Sequence, residues 1–157
     1  MSCGALRAFL IFHYIMGIHT FLRFMGREQV VGVTGFLYCN GKPVKSARLL
    51  LYDRETFSTD KLLALEDIDD ELGHFHIKGT AKDMFTLRPV LYILHKCDYR
   101  GACHWRTTVP IPQKYVTKGK YVDKYYDLQK FDLSERKNRV ISMWCDYTSE
   151  DYTEIVP

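Results

Sequence analysis

The chain has 157 residues, 46% of them hydrophobic, which suffices for one domain with a sizeable core and is too short for a second. Its formal net charge is +3, and the first 26 residues hold Arg7 and Arg23 but no acid, so the remainder carries 20 basic against 19 acidic side chains. That balance excludes nucleic acid as a partner, because a nucleic-acid surface needs a marked basic excess.

The first 26 residues place Arg7 ahead of an apolar run, Ala8 to Ile18, with small residues nearby. This is the order of a secretory signal peptide, expected to be helical and to be cleaved between Gly17 and Gly26. His13, His19 and Arg23 interrupt the roughly 20 apolar residues that a spanning helix needs, so no transmembrane span is expected. Val30 to Asp53 follows and reads as two β-strands around a tight turn. Val31, Val33, Leu37 and Cys39 alternate, Asn40-Gly41 accepts the positive φ of a short hairpin, and a second apolar run covers Leu49 to Tyr52.

Lys61 to Leu65 is a third apolar run, followed by the acidic turn Glu66 to Gly73. The turn has the alternating acids of a calcium loop, but Gly73 falls at the seventh position and Lys78 at the twelfth, where the EF-hand needs Gly at six and Glu at twelve. A turn with Gly73 at a special backbone angle is the reading adopted. In His74 to Lys78, Phe75 and Ile77 face inward while His74, His76 and Lys78 share the other face. Zinc would require His95 or His104 to converge on that histidine pair, and no metal or other cofactor is expected.

Gly79 to Arg88 reads as a loop with a helical turn at residues 81–85. Val90 to His95 is the most continuously apolar segment and hence a central strand. The chain then turns into a strand over Trp105 to Ile111, which Pro110 and Pro112 end or confine to an edge. Further strands are expected over Tyr125 to Leu133 and Val140 to Trp144. Together these make an all-β sandwich of seven or eight strands in two sheets with at most one short helix. The domain spans 27–135, with 136–157 as a C-terminal extension.

Of five cysteines, Cys3 leaves with the leader, so Cys39, Cys97, Cys103 and Cys145 form the even set of a two-disulfide protein in an oxidising compartment. Three connectivities are open. The short separation of Cys97 and Cys103 favours a local clasp, which would leave Cys39 with Cys145.

The string Gly35-Phe36-Leu37-Tyr38-Cys39-Asn40-Gly41-Lys42-Pro43 continues through Leu51-Tyr52-Asp53, Gly73-His74-Phe75, Gly79-Thr80, Pro89 to Cys97, Cys103 and Ile111 to Val116. In this order, over roughly residues 30 to 133, it resembles the nematode transthyretin-like family. The resemblance implies a small secreted sandwich of the transthyretin type, in a family of extracellular proteins without known catalysis. Two departures stand out: Gln129 replaces a glycine expected near Asp127-Leu128, and Asp146 to Pro157 runs beyond the pattern.

The related hydroxyisourate hydrolases close on a C-terminal Tyr-Arg-Gly-Ser, whereas this chain has Tyr99-Arg100-Gly101-Ala102 in mid-chain and ends Ile155-Val156-Pro157. No catalytic residue is therefore assigned. Carriage of a small hydrophobic ligand, as in the vertebrate hormone carrier, has no marker either, since the tyrosines and phenylalanines suffice for sandwich packing. The remaining class is a secreted binding or adaptor module. Its expected binding residues are Arg100, His104, Trp105 and Arg106, with His95 and Lys96 nearby, joined by Lys114 and Lys118 among Tyr115, Tyr121 and Tyr125. Basic and aromatic groups at one end of a sandwich suit an anionic lipid surface or an extracellular protein with an acidic patch.

Overall fold

The computed structural model describes Tyr14 and residues 26–55, 59–136 and 139–145. Apart from Tyr14 and Gly26, the expected leader lies outside the described residues, as do the last twelve residues of the expected extension. Among the described residues no helix is long and apolar enough to cross a membrane.

One sheet is assembled on β1 (Arg27–Cys39). Along one edge of it, β5 (His74–Asp83) runs antiparallel from Arg27 to Phe36, and along the other β9 (Tyr126–Asp132) runs parallel from Val33 to Tyr38. Two-residue ladders with β2 (Lys42–Pro43) and β8 (Thr117–Lys118) lie at the two ends of β1. The second sheet is antiparallel throughout, in the order β10 (Val140–Trp144), β7 (His104–Pro110), β6 (Pro89–His95), β3 (Ala47–Asp53), β4 (Lys61–Ile68). Among residues 26–145 that are described, setting aside the two short ladders leaves eight strands, with a single 3-10 turn, Gln113–Tyr115, between β7 and β8.

The two-residue period of a strand sends alternate side chains inward, and the core is built from them. Val31, Val33 and Leu37 of β1, with Phe75 and Ile77 of β5, meet Leu49 and Leu51 of β3, Leu91 and Ile93 of β6, and Val109 of β7. Each fully buried leucine or isoleucine contributes about 2 kcal/mol.

Three expectations give way. The Asn40-Gly41 turn forms with φ of 52° and 74°, but the strand it returns is only Lys42–Pro43, and β3 belongs to the opposite sheet. The reason lies on the edge of β1: Leu37 donates its N–H to Gly73 O (2.8 Å) and β5 occupies that edge from Phe36 onward, so the returning chain must cross over. Second, the loop expected over 79–88 begins only after Asp83, and no helical turn forms at 81–85. β5 continues to Asp83 with Gly79 and Ala81 buried, and Gly79 is needed there because a Cβ would lie 2.5 Å from that of Leu63.

The third correction concerns the cysteines: the bridges are Cys39–Cys97 and Cys103–Cys145. The β6–β7 ladder stops at His95↔Trp105, and a turn closed by Tyr99 N–H to Lys96 O, with Asp98 at φ 55°, carries Cys97 into the core at 8% exposure. There it meets the end of β1. Cys103 instead follows the β7–β10 register, whose last pair is His104↔Trp144, so Cys145 stands opposite it.

Two local expectations hold in detail. Gly73 adopts φ 70°, and the turn before it is closed by Asp70, whose Oδ1 accepts from His74 N (3.1 Å) and Leu72 N (2.8 Å). Those two bonds hold the Asp70 carboxyl below the usual carboxylate range. β7 ends at Pro110 and lies between β6 and β10, so its prolines terminate a strand that is interior to the sheet.

Candidate functional site

Both bridges lie at the end of the sandwich where β1 finishes, and they bracket the five-residue loop 98–102. Asp132, closing β9, knits this end together. Its carboxylate accepts from Asn40 N (3.2 Å), Gly41 N (2.7 Å), Ser134 N (2.9 Å) and the Ser134 hydroxyl (2.6 Å). Burial pushes the Asp132 carboxyl upward, but the bonds from Ser134, Gly41 and Asn40 together outweigh it and hold it below its ordinary value. Asn40 reaches the loop itself, donating from Nδ2 to Asp98 Oδ1 (2.7 Å).

The inner wall of this end is His95, 3% exposed. Cys97 N–H donates to His95 Nδ1 (3.2 Å), so the ring proton sits on Nε2 and is donated to Thr107 Oγ1 (2.9 Å). Burial, reinforced by the charges of Arg136 and His104 and opposed by Asp98, lowers the imidazole from 6.5 to about 4. His95 is thereby committed to the interior. His74 lies against Phe36 (5.0 Å) and His76 against Tyr125 (4.5 Å) on the outside of the other sheet, so these histidines do not converge.

The expected binding residues are divided by the fold. Arg100 is exposed in the loop. Strand alternation turns His104 and Arg106 to the outside of the sheet and Trp105 inward, where its ring meets Tyr99 (5.6 Å) and the Arg136 guanidinium (4.7 Å). The Trp105 Nε1–H is buried with no hydrogen-bond partner among the described residues. Lys118 pairs with Gln29 near the start of β1, and Lys114, in the 3-10 turn just before it, lies over Tyr115. Gln29 and Cys39 are ten residues apart along β1, about 33 Å at strand spacing, so the two basic groups occupy opposite ends.

Arg106 is the most highly built of these side chains. Its guanidinium carbon lies 5.0 Å from the Tyr92 ring centroid and 5.1 Å from that of Trp144, and its Nε donates to Ser142 Oγ (3.0 Å). Its two terminal nitrogens make no hydrogen bond among the described residues. A groove of about 670 Å³ adjoins it, lined among others by Lys45, Arg48, Lys96 and His104 with Asp67 and Asp69.

A cluster that sequence reading missed is Asp53, Glu55 and Asp83, which offer carboxylate oxygens within 4.8 Å of one another. Burial raises the Asp53 and Glu55 carboxyls above their ordinary values, and Asp53 Oδ1 accepts from Arg88 N (2.6 Å). Asp53 and Glu55 are near neighbours in sequence, but Asp83 arrives through the β5 ladder, for which the local sequence carries no signal.

The sequence profile of the transthyretin-like family matches residues 34–112, half of the chain. The chain belongs to the transthyretin-like family. Among Caenorhabditis elegans relatives, transthyretin-like protein 5 is 36% identical over 112 residues, 70% of this chain and 80% of that one. Transthyretin-like protein 33 is 35% identical over 107 residues, covering 67% and 74%. Among solved structures, a 9R-lipoxygenase from Cyanothece overlaps 67% of this chain and 16% of its own at 18% identity, but its TM-score of 0.37 carries no argument. Within the family frame the Gln129 departure acquires a physical meaning. Gln129 holds φ 53°, a left-handed angle that glycine adopts without strain, at the point where the β1–β9 register shifts.

Proposed function

We propose that this transthyretin-like protein is a secreted, extracellular binding or adaptor module that performs no catalysis and engages a partner carrying anionic groups. The observation that carries the reading is the doubly anchored loop: Cys97 ties one side to β1, Cys103 ties the other to the end of β10, the exposed Arg100 lies within it and the pinned Arg106 just beyond it. A loop fixed at both ends loses little entropy on binding. Pairing of all four cysteines outside the leader and the signal-like order of residues 1–26 support secretion. Against hydroxyisourate hydrolysis stands the location of Tyr99-Arg100-Gly101-Ala102 in this loop, with Tyr99 packed on Trp105.

The test uses full-length protein expressed in animal cells and recovered from the medium, assayed against phosphatidylserine-containing vesicles and against immobilised acidic peptides. Retention on at least one is expected, weakened several-fold in the Arg100→Ala/Arg106→Ala variant and unchanged in Lys118→Ala at the far end. Absence from the medium, or retention on neither probe, removes the proposal. Turnover of hydroxyisourate well above background removes its non-catalytic part.

A further inference from the structure

Asn40-Gly41 is the one Asn-Gly pair in the chain, and such a pair carries a reaction of its own. The glycine amide nitrogen attacks the asparagine Cγ, because glycine has no side chain to shield it. At this turn a bond would form between Gly41 N and Asn40 Cγ while the Cγ–Nδ2 bond breaks. Ammonia departs with the Gly41 amide proton and leaves a succinimide. Water then opens the ring at either carbonyl, giving aspartate or isoaspartate at position 40, and nothing but water is consumed.

Water reaches the turn freely: both residues are exposed, and a Cβ on Gly41 would have nothing within 4 Å. The atoms that the attack must move are nevertheless held. Asp132 spans the turn, accepting from Asn40 N on Oδ1 (3.2 Å) and from Gly41 N on Oδ2 (2.7 Å). The Asn40 carboxamide is held separately, its Nδ2 donating to Asp98 Oδ1 (2.7 Å) and to Cys39 Sγ (3.7 Å). Attack therefore requires Gly41 N–H to leave Asp132 and the carboxamide to leave Asp98 together, in a turn whose φ angles of 52° and 74° suit it as it stands. A carboxylate beside the nucleophile would speed the reaction if it stripped that proton. Burial pushes the Asp132 carboxyl upward, but the bonds from Ser134, Gly41 and Asn40 hold it below its ordinary value, where it is too weak a base to do so.

We propose that Asn40 is a latent modification site: Asp132 and Asp98 hold it against succinimide formation, and its conversion to aspartate or isoaspartate unties the loop 98–102. The second step follows from the same bond. Asn40 Nδ2 is the donor that ties the turn to Asp98, and conversion replaces it with a carboxylate at hydrogen-bond distance from another. Two like charges there repel, and Asp98 loses its partner. Isoaspartate also lengthens the backbone by one carbon directly after Cys39. Neither bridge is broken by the change, so the loop stays bracketed by sulfur while losing its polar tie.

The experiment incubates the full-length protein, bridges intact, at mildly alkaline pH and follows position 40 by peptide mapping with enzymatic methylation of isoaspartate. The same chain unfolded in urea and the variants Asp132→Ala, Asp98→Ala and Lys118→Ala run beside it, each with amide exchange recorded. Native Asn40 should convert roughly tenfold or more slowly than in the urea-unfolded chain. Asp132→Ala should abolish most of that difference and Asp98→Ala part of it, with Gly41 exchange rising in step, and Lys118→Ala at the far end should match wild type. Conversion as fast in the native protein as in urea, or no faster in Asp132→Ala than in wild type, would overturn the protection. If Asp132→Ala loses exchange protection throughout, the ratio of native to urea rates and Asp98→Ala decide the matter. For the second step, Asn40→Asp should raise exchange over Tyr99 to Ala102 and quicken trypsin cleavage after Arg100 several-fold, beyond the effect of Asn40→Ala, which removes the donor and adds no charge. Exchange and cleavage unchanged in Asn40→Asp would overturn the untying.

Discussion

Lowering the pH from 7.5 to 5.0 is expected to destabilise the fold through His95. Unfolding releases an imidazole that titrates near 6.5, whereas the folded ring, bonded through Nδ1 to Cys97 N–H and through Nε2 to Thr107, is lowered to about 4. Protonation would set an N–H against the Cys97 N–H and leave a charge in the interior. Because the folded value lies below the unfolded one for a base, the neutral form is stabilised by folding. That stabilisation is complete above the unfolded pKa and is lost as pH falls toward the folded value. For values of 6.5 and about 4, the loss by pH 5.0 is about 2 kcal/mol, or roughly 5–8 °C in Tm for a domain of this size. The assay is urea unfolding at both pH values with the bridges intact, for wild type and for His95→Gln. The variant should be weaker at pH 7.5 by about 1–3 kcal/mol, through poorer hydrogen bonding at a buried site, yet should lose about 2 kcal/mol less than wild type on acidification. Every other titrating group is common to both proteins, so equal pH slopes would refute the assignment.

Gln129→Gly should raise stability by about 0.5–1 kcal/mol in thermal melts, since φ 53° costs a side-chain-bearing residue more than glycine's added chain freedom does, while Gln129→Val should lower it. Asp132→Ala strips acceptors from Asn40 N, Gly41 N and Ser134 and should cost about 2–3 kcal/mol in urea unfolding, with the turn at 40–41 gaining amide exchange. Non-reducing peptide maps should recover the 39/97 and 103/145 pairs. Replacing both cysteines of either pair by Ser should cost up to about 4 kcal/mol from loops of 58 and 42 residues, but only loss of the second should raise amide exchange across β10.

Local rules were legible where the cause is local. Gly73, the Asn40-Gly41 turn, the stop at Pro110 and the alternation of β5 up to Lys78 each depend on a few residues, and each is found. The misreadings arise where a distant segment decides. Whether β1 and β3 form a hairpin depends on β5, which takes the edge of β1 that the hairpin needed. The disulfide pairing depends on where the β6–β7 ladder ends and on β10 arriving beside β7. The basic and aromatic residues expected at one end are divided because a strand sends the neighbours Trp105 and Arg106 to opposite faces and Lys118 is fixed to the far end of β1. Arg106 was legible as a cation close to the bridged end. Its ring walls were not, because Tyr92 and Trp144 come from two other strands.

The two covalent rings, 39–97 and 103–145, follow one another along the chain without interlocking. A protease that nicks a single peptide bond inside either ring leaves one molecule still joined by sulfur. Only within the stretch Asp98 to Ala102 does one cut separate the backbone into two halves, each keeping its own ring, and Arg100 presents there a side chain that trypsin-like enzymes recognise. The loop anchored by both bridges is thus also the one place between them where a single cut parts the covalent chain.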